Sequence, residues 1–347
     1  MVGPKTLGER VTATATSAGW AGATPAITVA VSTFRRPHYL PGLFESLEQQ
    51  DLDPSQFEVV VVDNGSGDET WEVLRAIAET TSVAVQVARV DENRGPASGR
   101  NAAVDLARAP KIAFTDDDCF PQPSWTRAML EALERGHRVV QGQTRPDPAP
   151  RRRTWDHTIT VDTLTGFFET CNLAYHRDDV LDAGGFEALP GYRPGRGGFP
   201  FGGEDTVLGW KVVRARGIEP TYVADAVVHH RIEPKTYDEW LHVRNGMAIF
   251  PALVANVPEL RDRLYRQYFL SRQTAAFDFA VVGLAAAFVR RSPWPLVAAA
   301  PYLARRLPRS HRGLRKAIPR TARIVAGDAA AALSLARGSV RHRSVVL

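Results

Sequence analysis

Phe57-Glu58-Val59-Val60-Val61-Val62-Asp63-Asn64-Gly65-Ser66 decides the fold class. Four successive valines leave no polar face, so the segment reads as a central parallel strand covered on both sides. Asp63-Asn64-Gly65-Ser66 is turn chemistry, and Trp71 to Ala78 then has helical spacing. Upstream, Ile27 to Thr33 is another β-rich run, followed by a helix pattern with Tyr39, Leu40, Leu43, Phe44 and Leu47 on one side. Downstream come a strand at Ser82 to Val90, a helix at Ala97 to Ala107 and a short apolar strand at Lys111 to Phe114. Strand and helix alternate with short connections, which predicts an α/β protein with a doubly wound, mostly parallel sheet.

Ligands of such sheets sit at the carboxyl ends of the strands. The polar residues fall at those ends: Thr33, Asp63 and the tract Asp116-Asp117-Asp118. Three adjacent carboxylates repel one another and need a compensating cation. A hard divalent ion, Mg²⁺ or Mn²⁺, prefers such oxygen ligands and shares them with a phosphate-bearing substrate. An N-cap cluster for a helix starting near Ser124-Trp125 is the competing account, although one Asp suffices for a cap.

The second half, about 140 to 235, is less regular. Glu169 to Tyr175 predicts a strand, Arg177 to Ala183 a short helix, Glu204 to Arg216 a helix and Tyr222 to His230 a last strand. The Gly-rich stretch from Gly191 to Gly203 suits a mobile lid. Met1 to Ala26, rich in Ala, Thr and Gly, reads as a mobile arm without the apolar core of a secretory signal.

Val59 to Ser66, Asn93-Arg94-Gly95 with Arg100-Asn101, Phe114 to Asp118, Gly184-Gly185-Phe186 and Gly203-Glu204-Asp205 occur in that order. The ordered set, over residues 27 to 235, resembles the family-2 inverting glycosyltransferases with the nucleotide-diphospho-sugar transferase (GT-A) fold. The resemblance implies a metal-dependent enzyme that moves a sugar from a nucleotide diphosphate to a hydroxyl acceptor. It implies that Thr33, Arg35, Asp63, Asn93, Arg94, Gly95, Arg100, Asp116 and Asp117 bind the nucleotide sugar. Asp118 and His230 would hold the Mg²⁺ or Mn²⁺. Asp205 would be the catalytic base with Glu204 beside it. Blander accounts stand next to these roles. Asp63 suits a turn cap, Arg94 and Arg100 suit a solvated surface, and Glu204 and Asp205 suit the first turn of a helix. His229-His230 suits a surface pair, and Trp125, Trp155 and Trp210 suit core packing as well as stacking on sugars. A sugar-phosphate nucleotidyltransferase would need glycines near Ser32-Thr33-Phe34-Arg35-Arg36-Pro37, where there are none. A non-catalytic assembly protein would have no need of a base.

Residues 290 to 347 hold thirteen Lys or Arg against Asp328 alone, a net +12, so the first 289 residues are net −7 within a total of +5. An acidic body with a basic tail argues against a nucleic-acid partner and for an anionic membrane surface or an acidic partner. Two apolar runs, Ala275 to Val289 and Pro293 to Ala304, fall short of the ~20 residues that span a bilayer and suit in-plane or re-entrant helices, or else a subdomain packed on the core. The domain plan is thus arm 1–26, catalytic domain 27–235 (nucleotide half 27–120, acceptor half 121–235) and a helical, basic C-terminal extension 236–347. Cys119 and Cys171 have neither metal nor redox spacing and fit a reducing cytoplasm, at the inner face of the cell membrane. A lipid-linked or glycan acceptor in envelope synthesis fits the basic tail, with a small natural product as the alternative.

Overall fold

The computed structural model describes residues 6–22, 24–149, 151–192, 202–306 and 314–347 of the chain. Most of the expected lid, 193–201, lies outside the described residues. Two compact units are present, Met1–Ala188 with Gly203–Pro234, and Leu189–Gly202 with Lys235–Leu347.

The strands of the first unit are β1 (Val11–Thr16), β2 (Ile27–Thr33), β3 (Phe57–Asp63), β4 (Val85–Val90), β5 (Lys111–Thr115), β6 (Cys119–Pro121), β7 (Val139–Pro146), β8 (Asn172–His176) and β9 (Thr221–His230). They form a single sheet in the order β1-β4-β3-β2-β5-β8-β7-β9-β6. From β4 through β5 the strands are parallel, with Thr33 level with Asp63 and Ala30 level with Phe114. The chain steps outward from β2 to β4 and then returns to β5 on the other flank of β2. That reversal is the topological switch, and it opens a crevice at the strand ends where the polar residues lie.

Every residue of β3 is buried, as four successive valines require. Glu58 and the terminal Asp63 are its polar residues, and the Glu58 charge is met inside: Arg108 Nε donates to Oε2 at 2.6 Å and Thr28 Oγ1 to Oε1 at 2.6 Å. The helices of this unit are α1 (Leu40–Glu48), α2 (Thr70–Thr80), α3 (Pro96–Leu106), α4 (Trp125–Glu134), α5 (Arg177–Asp182) and α6 (Glu204–Arg216). In α1 the buried residues Leu40, Leu43, Phe44 and Leu47 recur at the helical period and cover the sheet with one stripe.

Two features depart from the sequence reading. Residues 11–16, read as part of a mobile arm, form edge strand β1 antiparallel to β4. Its Val-Thr-Ala-Thr-Ala-Thr alternation is a period-two pattern with β-branched residues, a signal that the Ala/Thr composition concealed. Ser17 fastens its end, donating to Val83 O at 2.8 Å and accepting from Val85 N at 2.9 Å. The other departure is β6 and β7, which the sequence did not announce. β6 pairs with β9, and β7 is tied to its neighbours by Asn172, fully buried, which accepts from Trp125 Nε1 at 2.8 Å and donates to Gln143 O at 2.8 Å and Ala226 O at 2.9 Å. Trp125 and Trp210 are therefore packing residues; Trp210 Nε1 donates to Gly166 O at 2.9 Å.

The second unit contains α7 (Tyr237–Asn245), α8 (Ile249–Asn256), α9 (Arg272–Arg290), α10 (Ala300–Arg306) and α11 (Leu314–His342). Ser334 of α11 pins the α7–α8 junction, accepting from Ala248 N at 2.9 Å and donating to Asn245 O at 2.7 Å. Buried Asp328 accepts from Tyr302 Oη at 2.8 Å and pairs with Arg306 at 2.6 Å. Helix α9 is 19 residues long, longer than the apolar run that marked it, and is the one described helix long and apolar enough to cross a membrane.

Candidate active site

The chain leaves β5 at Thr115, turns with Cys119 N donating to Asp116 O at 3.2 Å, and returns as β6 beside β9. Cys119 is level with His230 in that pairing, so the backbone register brings Asp118 to the imidazole. Asp118 Oδ1 lies 3.7 Å from His230 Nε2, and both residues are buried. His230 Nδ1 is 2.9 Å from Arg231 O; donating there leaves the Nε2 lone pair facing Asp118. Arg36 NH1 spans the two acids, 3.1 Å from Asp117 Oδ1 and 3.0 Å from Asp118 Oδ2, and Thr33 Oγ1 donates to Asp117 Oδ2 at 2.7 Å. Arg36 is one guanidinium for two buried carboxylates, and it does not offset their burial. Burial, with the charges of Asp118 and Asp116, pushes Asp117 up to about 7 against the pull of Arg36 and Thr33.

Donor atoms of Asp118, Cys119 and His230 lie within 4.8 Å of one another. Burial pushes the Cys119 thiol well up, so it stays protonated and is a poor ligand. The usable donors are then a carboxylate oxygen and an imidazole nitrogen, a set that fits a Mn²⁺-like divalent ion.

A second group begins one residue earlier. Arg100, on α3, donates to Asp116 Oδ1 at 3.2 Å and to Glu204 Oε1 at 2.9 Å. Burial alone would lower its pKa, but Asp116, Glu204 and Asp205 outweigh that and raise it. Glu204 and Asp205 open α6 directly after Gly203, whose φ of 82° lies in the left-handed region that favours glycine. Asp205 Oδ1 accepts from Thr206 N at 2.8 Å. Desolvation, then the Glu204 charge, push Asp205 up to about 8, with Arg100 opposing. The helix dipole favours the ionised form at this position, but here burial wins. The Tyr175 hydroxyl is buried without a hydrogen-bond partner, and burial together with the Asp205 charge raises its pKa far above the ordinary value.

The third group surrounds the end of β3. Asp63 is fully buried; Oδ1 accepts from Ser66 N at 3.0 Å, whereas Oδ2 has no hydrogen bond and lies 3.4 Å from Arg89 Nε. Buried Asn64 Oδ1 is also without a donor, while Asn64 Nδ2 donates to Gly95 O at 2.8 Å. Orphaned buried acceptors are costly unless a ligand supplies the donor. Asn93 Oδ1 accepts from Gly95 N at 2.8 Å and so sets the start of α3. At Gly99 a side chain would strike Ser32, so α3 lies close against the end of β2. Arg35, at φ 54°, turns towards β3 and donates from N to Ser66 Oγ and from Nε to Ser66 O, both at 2.9 Å.

The structure thus gathers Thr33, Asp117, Asp118 and His230 in one group, Asp116, Arg100, Glu204 and Asp205 in a second, and Arg35, Asp63, Asn93 and Gly95 in a third. Arg94 stands apart, exposed and paired with Glu9 at 2.7 Å. Arg36 is the main omission of the sequence reading. The positive φ at Arg35 sends the two adjacent arginines in different directions, and only the arginine before Pro37 reaches the acids. Asn64 lay inside the Val59 to Ser66 motif with no role assigned to it, and Tyr175 carried no motif signal. His229 faces away, 3.2 Å from Gln122 Nε2.

The model for glycosyl transferase family 2 matches residues 28–189. The chain is similar to the glycosyltransferase AglE of Haloferax volcanii, 29% identical over 178 residues, which is 47% of this chain and 56% of that protein. It is also similar to validoxylamine A glucosyltransferase of Streptomyces hygroscopicus subsp. limoneus, 34% identical over 108 residues, 31% of this chain and 24% of that one. The match therefore spans about half the length of the first relative and a quarter of the second. Among solved structures, the mannosyltransferase PcManGT from Pyrobaculum calidifontis, in complex with GDP-Man and Mn²⁺, superposes with a TM-score of 0.56 at 19% identity, covering 92% of this chain and 90% of that one. At that identity the likeness shows the fold, a GT-A-type α/β sheet. Residues 28–189, which include β3, the Asp116–Asp118 tract and β8, belong to glycosyl transferase family 2.

Proposed function

We propose that this protein is a divalent-metal-dependent, inverting glycosyltransferase that moves a sugar from a nucleoside diphosphate to a hydroxyl of a lipid-linked or glycan acceptor. The observation that carries this reading is the adjacency of a Asp118–His230 donor pair and a raised carboxyl, Asp205, joined through Asp116 and Arg100. The PcManGT complex, which holds GDP-Man and Mn²⁺, supports the same chemistry by analogy of fold.

Asp63 Oδ2, which lies near Arg89 but has no hydrogen bond, would accept the imide hydrogen of a uracil-like base, with Thr33 and Asp117 at the neighbouring strand end. Asp118 and His230 would hold Mg²⁺ or Mn²⁺, which supplies Lewis-acid stabilisation of the diphosphate as it departs. Asp205 takes the proton of the acceptor hydroxyl. The freed oxygen forms its bond to the anomeric carbon as the bond from that carbon to the phosphate oxygen breaks. A single displacement inverts the centre. Glu204, held by Arg100, stands beside Asp205, and its charge adds to the burial that raises the base.

We place the reaction at the inner face of the cell membrane, in envelope polysaccharide or glycolipid synthesis. Similarity to validoxylamine A glucosyltransferase favours a second reading, transfer to a small natural product.

A thermal-shift panel of UDP-, GDP- and dTDP-sugars, with and without Mn²⁺, tests the proposal in the wild type and in His230→Gln. One donor class should raise the melting midpoint with metal, by an amount equivalent to ~2.7 kcal/mol at a hundredfold excess over Kd. His230→Gln should lose the metal-dependent part. If no donor shifts the midpoint under any metal condition, the reading fails.

A further inference from the structure

Helix α9 begins at a capping box in which Ser271 Oγ accepts from Gln273 N and Thr274 N, and ends at Arg291 in the left-handed conformation. Past Pro293 the chain folds back as a 3-10 turn, Trp294–Ala299, packed across the middle of α9. Gly283 permits that approach, because a Cβ there would meet Pro295 O and Ala298 Cβ at 2.5 and 2.9 Å. The result is a helical hairpin whose outward side is apolar. Phe288 is 85% exposed, Val289 79%, Trp294 83% and Val297 74%, with Val282 and Leu284 also exposed. At 100° per residue, Val281 and Phe288 lie opposite Gly283 and Leu284 on its flank, away from the returning chain. Scattered apolar residues on a surface are ordinary, but a continuous patch of this kind marks an interaction site.

The geometry points to the occupant: one leaflet of an anionic bilayer, with the hairpin lying flat in the interface. Arg290 and Arg291 are exposed at the hairpin turn itself, beside Phe288 and Trp294. Tip-first insertion would drag both guanidinium groups into hydrocarbon, which is costly. A full crossing by α9 would carry the 3-10 segment packed across its middle, which holds Pro295 and lacks a continuous α-helical hydrogen-bond ladder, into lipid. Lying in the plane avoids both costs. The apolar side chains enter the acyl boundary, the two arginines reach headgroup phosphates, and Trp294 takes the interfacial position that tryptophan favours. This inference rests on the surface alone and is independent of the transferase reading.

Flotation of the full chain with vesicles tests it without any donor or acceptor. Binding should be at least ~10-fold stronger to vesicles containing phosphatidylglycerol than to pure phosphatidylcholine. Phe288→Glu with Val289→Glu, and separately Arg290→Glu with Arg291→Glu, should each lower binding at least ~10-fold. Unchanged melting midpoints confirm that the variants fold. Brominated phosphatidylglycerol should quench wild-type tryptophan fluorescence, and Trp294→Phe should lose that quenching. Wild-type binding by both double variants would move the membrane contact elsewhere and overturn the proposal. So would resistance to alkaline extraction, which indicates a span, or a dimer that hides Trp294 from brominated lipid.

Discussion

Replacing Asp205 by Asn removes a proton acceptor while keeping the shape, and it should change activity and stability in opposite directions. Asp205 is pushed up to about 8 from an unperturbed 3.8 by desolvation and by Glu204. A carboxyl that binds its proton more tightly in the folded state favours folding at acid pH. Its contribution is fully present below the unfolded value and is lost as pH rises through about 8. Asn cannot ionise, so the variant should match the wild type at acid pH and exceed it in alkali. For catalysis, loss of a general base costs ~10²- to 10⁴-fold in kcat, or ~3–5 kcal/mol of transition-state stabilisation. The assays are product formation with saturating donor and denaturant titration across the pH range. In the wild type, kcat/KM for donor, which reports the free enzyme, should climb with pH up to about 8 and then level. Wild-type turnover by Asp205→Asn, or a flat wild-type profile below neutrality, would refute the assignment.

Two further substitutions probe the scaffold of the site. Arg36→Met leaves buried Asp117 with Thr33 alone and should cost ~1–3 kcal/mol above about 7, shrinking at lower pH where Asp117 holds its proton. Equal losses on both sides of about 7, by chemical denaturation, would show that Arg36 acts by packing instead. Asn172→Leu keeps the volume but strips three hydrogen bonds, including that of the buried Trp125 indole. The denaturation midpoint should fall by the equivalent of ~3 kcal/mol or more with an unchanged m-value, and a loss under ~1 kcal/mol would remove Asn172 from its structural role.

The parallel half of the sheet was legible because each of its signals is local. The valines of β3 and the Leu40–Leu47 stripe of α1 announce themselves within ten residues. What escaped depends on partners distant in the chain. Residues 139–146 become a strand by pairing with 172–176 and with 221–230, and nothing nearby states that pairing. Val11–Thr16 carried a legible alternation, but in residues too small to mark it as apolar. Within the site, residue types at strand ends were readable, whereas the direction of each side chain was not. Arg35 and Arg36 are chemically identical, and one backbone angle decides which of them meets the acids.

That same point separates the three aspartates. Neighbouring side chains at the turn after β5 diverge, so Asp117 and Asp118 face Arg36 and His230 while Asp116 faces Arg100. Asp116 is thus more than a supporting charge for a metal. Arg100 opposes the rise in the Asp205 pKa. Asp116 orients that guanidinium and adds a negative charge that offsets part of its field. A base of ordinary acidity is ionised at neutral pH but accepts a hydroxyl proton poorly; one held near neutrality accepts it better. In the proposed mechanism the acidic tract would thus act twice, holding the metal through Asp118 and orienting Arg100 beside the base through Asp116.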